Sequence, residues 1–85
     1  LDLVARQHLI ATMRTLAAQG ITLVLVTHHI EEVIPEIKRV VLLRGGRIAA
    51  DGTRAELLRD GPLSEVFGGP IQVVEHEGRL TAFAG

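Results

Sequence analysis

The 85 residues, 9.2 kDa in all, make one small domain or a piece of a larger one. With 47% hydrophobic, 22% charged and 2% aromatic residues the composition is globular rather than disordered, and it offers almost nothing to stack on nucleic acid bases. A net charge of −1 leaves no basic footprint for DNA, RNA or an anionic membrane, and the absence of cysteine excludes disulfides, Cys-ligated zinc, iron–sulfur clusters and thiol nucleophiles.

No apolar run approaches the ~20 residues that span a bilayer. The chain opens Leu1-Asp2, with no basic or apolar leader and no initiator Met, which predicts a reading frame that begins upstream. From Asp2 to Gln19 the apolar residues Ala5, Leu9, Met13, Leu16 and Ala17 recur at helical spacing, with Asp2 as N-cap and Gly20 at the left-handed exit. Ile21 to Thr27 is a continuous β-rich apolar run without alternation, which predicts a strand buried on both faces. The polar cluster His28-His29-Ile30-Glu31-Glu32 opens a short helix that Pro35 disturbs or ends. A second buried strand, Val40 to Leu43, turns at Gly45-Gly46 into a strand over Arg47 to Asp51, which Gly52 closes. Thr53-Arg54-Ala55-Glu56 reads as a capping box for a helix ending near Gly61-Pro62, with another helical turn over Leu63 to Phe67. After Gly68-Gly69-Pro70, the segments Ile71 to His76 and Arg79 to Phe83 flank Glu77-Gly78 as a terminal hairpin.

This order indicates an α/β fold with a three-layer sheet. A strand buried on both faces needs helices above and below it and strands on both sides. The chain supplies too few strands to surround Ile21 to Thr27, so the pattern reads as the back half of a domain.

No catalytic set is complete on residue type and spacing alone. His28 ends a buried strand, where α/β sheets gather their ligands, and an imidazole there can donate to a phosphate oxygen or position a water. The competing reading is a histidine that merely ends the strand and caps the next helix. His28, His29, Glu31 and Glu32 also invite a metal site, but adjacent histidines diverge, and neither HExxH nor HxxEH occurs. Glu31 and Glu32 are more simply acids in the first turn of a helix. Gly45, Gly46 and Gly52 are turn glycines, no GxxxxGK[ST] is present, and Ser64, the one serine, lacks a nucleophile-elbow context.

Taken together, Leu1-Asp2 with Arg6 after it, LVLVTHHIEEV from Leu23 to Val33, RVVLLRGGRIAADG from Arg39 to Gly52 and TRAELL from Thr53 to Leu58 resemble the C-terminal part of an ABC transporter ATP-binding domain. The wording HHIEEVIPEI is similar to a branch of molybdate- or iron-complex-type ATP-binding proteins. The resemblance implies the C-terminal part of a three-layer P-loop NTPase domain over residues 1–69, with parallel strands and flanking helices. Residues 70–85 would add a terminal β-hairpin extension. It also implies that Leu1 and Asp2 end the D-loop, which crosses to the opposing ATP-binding domain. His28 would be the switch histidine that contacts the ATP γ-phosphate and helps organise the attacking water, and so serves both binding and catalysis. His29 stands where Asp is common and Leu3 where Pro is frequent.

The parent would bind ATP and Mg²⁺, pair with a second ATP-binding domain and a membrane permease, and sit in the cytoplasm against the inner face of the cell membrane. The phosphate-cradling loop, signature, Walker B strand and general base all lie upstream in the family, so these residues alone are expected to be inactive, with no cofactor of their own and no resident metal. Two other readings stand beside this one: a stand-alone α/β interaction module, and a small metal-binding protein using the His/Glu cluster.

Overall fold

A computed structural model describes residues 2–85. Helix α1 (Leu3–Ala18) forms where the sequence places it: the Asp2 carboxylate accepts from the Ala5 N–H at 2.7 Å. At its other end Gly20 takes φ +80°, and the Gly20 and Ile21 amides return to the Ala17 and Leu16 carbonyls at 3.0 and 3.2 Å, a Schellman exit. Ile10 and Met13 are the buried residues of α1, and the anticipated stripe from Ala5 through Leu9 to Ala17 is at least half-buried around them.

The next segment departs from expectation. Residues 21–27 run extended but belong to no β-ladder, and the sheets among the described residues contain no parallel pair. Leu23 and Leu25 pack against the cluster of Ile10, Met13 and Ile34, while Val24 and Val26 on the opposite side are 90% and 91% exposed. The anticipated burial on both faces is therefore half realised. The described residues provide one covering layer, α1 with Ile34, and no neighbouring strand.

A 3-10 turn, Ile30–Glu32, follows; it is the short helix anticipated ahead of Pro35. Strands β1 (Arg39–Arg44) and β2 (Arg47–Thr53) pair antiparallel through Gly45 and Gly46, both at positive φ (60° and 73°), as a two-residue turn of matching twist requires. A bulge places Ala49 opposite no partner, between the pairs Leu42–Ala50 and Leu43–Ile48. Only Leu42 of β1 is buried, so this strand too is covered on one face rather than enclosed.

Helix α2 (Arg54–Leu57) carries the anticipated capping box: Thr53 Oγ1 accepts from the Glu56 N–H, and Glu56 Oε1 accepts from the Thr53 N–H at 3.0 Å. It stops four residues before Gly61-Pro62, which instead lie in the first turn of α3 (Asp60–Phe67). Proline is tolerated there because the first N–H groups of a helix have no partner within it. Strands β3 (Ile71–His76) and β4 (Arg79–Ala84) form the terminal hairpin, turning at Glu77 and Gly78. Leu80 of β4 shares a buried cluster with Leu42, Leu58 and Leu63, so the hairpin packs on the same core as β1 and the two short helices. Two side chains hold the junction before it: the Ser64 hydroxyl accepts from the Ile71 N–H at 2.9 Å, and Asp60 accepts from the Val73 N–H at 2.7 Å.

Candidate functional site

His28, His29, Glu31 and Glu32 follow the exit of the extended segment. Thr27 is its last residue, His28 and His29 follow, and the 3-10 turn begins at Ile30. The Thr27 hydroxyl accepts from the His29 N–H at 3.0 Å and donates to Glu32 Oε1, which closes the backbone around His28. His28 itself is exposed, and its imidazole takes part in no hydrogen bond with another described residue. A side chain presented outward from a fixed backbone suits contact with a group lying outside these residues.

Glu32 anchors that turn. It is 6% exposed, and its second oxygen accepts from Arg6 Nε at 3.3 Å. The hydrogen bond from Thr27 holds the Glu32 carboxyl below the ordinary carboxylate range. Burial opposes this, while the bond and charge of Arg6, and more weakly His29, reinforce it. Arg6 lies one turn into α1, and its N–H donates to the Asp2 carbonyl at 3.0 Å. The structure thus joins the Asp2 end of α1 to the His28 turn through Arg6 and Glu32. Asp2 is exposed and its carboxylate caps α1; Leu1 lies outside the described residues.

The His/Glu cluster does not assemble as a metal-ligand set. Glu32 faces inward to Thr27 and Arg6 while His28 and His29 are exposed, and among the described residues no three His, Asp or Glu side chains converge.

In the sequence Glu32 reads as an acid in the first turn of a helix, and Thr27, Arg6 and Arg54 show no task at the turn. Two carboxylates among Ile30, Val33 and Ile34 are the available signal, because a charge on an apolar stretch must find a partner, but the signal does not choose between Glu31 and Glu32. Arg54 donates to the Val33 carbonyl from α2, 21 residues away, and no local pattern announces such a bond.

No protein-family model matches the chain. Among curated proteins it is 36% identical over 76 residues to a hemin import ATP-binding protein, HmuV, of Rhodococcus jostii, covering 89% of this chain and 26% of that protein. It is 35% identical over 81 residues to an uncharacterized ABC transporter ATP-binding protein, YlmA, of Bacillus subtilis, covering 93% of this chain and 31% of that one. A vitamin B12 import ATP-binding protein, BtuD, of Photobacterium profundum is 31% identical over 67 residues, 79% of this chain and 26% of the relative. The chain therefore spans less than a third of the length of these relatives.

Proposed function

This chain belongs to the ABC transporter ATP-binding proteins, whose domains are α/β P-loop NTPases, and from that premise we propose that it forms the C-terminal part of an ATP-binding subunit and carries that subunit's switch histidine. Residues 1–69 are the domain portion and 70–85 a terminal hairpin extension. The subunit couples ATP binding and hydrolysis to movement of a solute through a membrane permease, and works as a pair of ATP-binding domains against the inner face of the cell membrane. Two of the relatives named above act in import, of hemin and of vitamin B12, and import is the direction proposed.

The observation that carries this reading is the His28 turn. In a sequence that aligns over nine tenths of its length with ATP-binding proteins, an imidazole is presented outward from a backbone locked by Thr27 and Glu32. From that position it donates a hydrogen bond to a γ-phosphate oxygen and orients the attacking water. Asp2, the N-cap of α1, contacts the opposing domain across the interface, and Leu1 is assigned to the same D-loop end. Mg²⁺ bound with ATP neutralises charge on the transferred phosphoryl group, and the residues that hold it lie outside this segment.

The test is His28→Ala in the ATP-binding subunit that contains this segment, with ATP affinity and steady-state hydrolysis measured together. Hydrolysis is expected to fall by about 10²–10⁴-fold while ATP binding is largely kept. A variant hydrolysing at the parent rate removes the switch assignment. In the same assay the 85 residues alone are expected to show no turnover, since they contain no GxxxxGK[ST] loop.

A further inference from the structure

Arg54 opens α2, yet its side chain leaves the helix. Nη2 donates to the Val33 carbonyl at 3.2 Å and to the Gly78 carbonyl at 2.9 Å, and Nε donates to Val33 again at 3.4 Å. Val33 directly follows the 3-10 turn and Gly78 lies in the turn of the terminal hairpin, so one guanidinium holds two segments that share no β-ladder. Arg54 is itself fixed, by the capping box and by its N–H, which donates to the Lys38 carbonyl at 2.8 Å. Steric contact makes the same connection independently. A Cβ on Gly78, which sits at φ +78°, would come within 3.1 Å of Pro35 Cγ. Ile30 and Val33 also pack against the buried cluster to which Leu80 of β4 belongs.

The geometry points to the terminal hairpin as a brace on the turn that carries His28, with Arg54 as its pin and a positioning residue for hydrolysis; this rests on the switch reading of His28. Arg6 and Glu32 hold the turn from the α1 side, and Arg54 with Gly78 holds it from the hairpin side. A planar guanidinium with several donors serves two carbonyls at once, and a lysine ammonium on a flexible stem reproduces this only in part. Gly78 contributes by having no side chain: alanine there strains the turn and pushes Pro35 away.

The experiment compares Arg54→Ala, Arg54→Lys, Gly78→Ala and His28→Ala in the ATP-binding subunit that contains this segment. Glu77→Asn serves as a control in the same turn, because Glu77 already takes positive φ and asparagine tolerates it. Arg54→Ala and Gly78→Ala are expected to lower kcat by about ten- to a hundredfold with KM for ATP within about twofold, and Arg54→Lys to recover part of the loss. Gly78→Ala removes no hydrogen-bonding group, and it carries the test if Arg54→Ala does not fold. Parent-like kcat in the Gly78 and Arg54 variants, while His28→Ala slows hydrolysis, overturns the brace and leaves the switch reading intact. If His28→Ala hydrolyses normally, the switch reading fails and amide hydrogen exchange over residues 28–33 decides the brace. Exchange at least about tenfold faster in Gly78→Ala and Arg54→Ala than in Glu77→Asn supports it, and equal exchange overturns it.

Discussion

Glu32 is the buried charged side chain among the described residues, and its surroundings explain how it stays ionised. A carboxylate taken out of water is costly unless both oxygens are occupied, and here Thr27 and Arg6 occupy them. Replacing it with alanine strands a hydroxyl and a guanidinium, so Glu32→Ala is expected to cost about 1–3 kcal/mol in urea denaturation of the chain, and Glu32→Gln less. The pH dependence has a definite sign. Because folding lowers the Glu32 pKa from its ordinary 4.5, the unfolded chain binds more protons in that region. The stabilisation is then fully present above the ordinary carboxylate value and is lost as pH falls through the lower, folded one. The thermal midpoint should drop as pH falls below the ordinary carboxylate value, and Glu32→Gln should flatten that drop. Glu36, Asp51 and Glu56 are lowered in the same direction by Arg14, by Arg39 and by the Thr53 cap, and their more open positions leave them smaller shares. A midpoint equally pH-dependent with and without the Glu32 carboxylate would contradict this account. Nothing local in the sequence separates Glu32 from Glu31. What separates them is Arg6, 26 residues earlier, which only the tertiary fold brings near.

At the scale of elements, chemistry contained within a few residues shows in the sequence, and chemistry shared between distant segments does not. The Thr53–Glu56 box, the Gly45-Gly46 turn, the Glu77-Gly78 turn and the Asp2 cap all form as anticipated, because each is closed by groups no more than three residues apart. The capping box lends itself to measurement. Thr53→Ala removes an acceptor for the Glu56 N–H, and is expected to cost about 1 kcal/mol, or roughly 4–8 °C in thermal midpoint. Thr53→Ser should retain most of it; a loss as large for serine as for alanine would mean that packing rather than the cap is responsible. The boundary between α2 and α3 misleads for a related reason. Gly61-Pro62 looks like a stop, but Asp60 spends its carboxylate on the Val73 N–H, and Pro62 enters α3 as an early residue. The Asp60–Val73 contact spans 13 residues, beyond what a local pattern encodes. The candidate site follows the same division: His28 is marked by its place at the end of an apolar run, whereas the groups that hold its turn come from α1, α2 and the terminal hairpin.

At the scale of the whole molecule, the described residues form two apolar clusters, and the extended segment between α1 and the His28 turn completes neither. Leu23 and Leu25 face Ile10, Met13 and Ile34, while Val24 and Val26 stand almost fully exposed beside a backbone with no ladder partner. The run ITLVLVT reads as a strand buried on both faces, and the proposed place of this segment inside a larger α/β domain would supply strands at its sides and a layer over the two valines. Different outcomes therefore follow for one pair of substitutions in two settings. In the 85-residue chain, Val24→Lys with Val26→Lys places charges on an exposed, unpaired strand, and should reduce self-association in sedimentation velocity while leaving the inner face untouched. In the ATP-binding subunit containing this segment, the same pair should destabilise by at least about 1.5–3 kcal/mol per valine through lost apolar burial, with a further cost for any lysine left inside. The stability of the proposed larger subunit is the deciding quantity. A neutral effect there would mean that the outer face of residues 21–27 stays open to solvent, and the double-sided burial read from the sequence would have to be given up. A large loss there, together with a better-behaved isolated chain, would assign the two valines to a core that these residues only half provide.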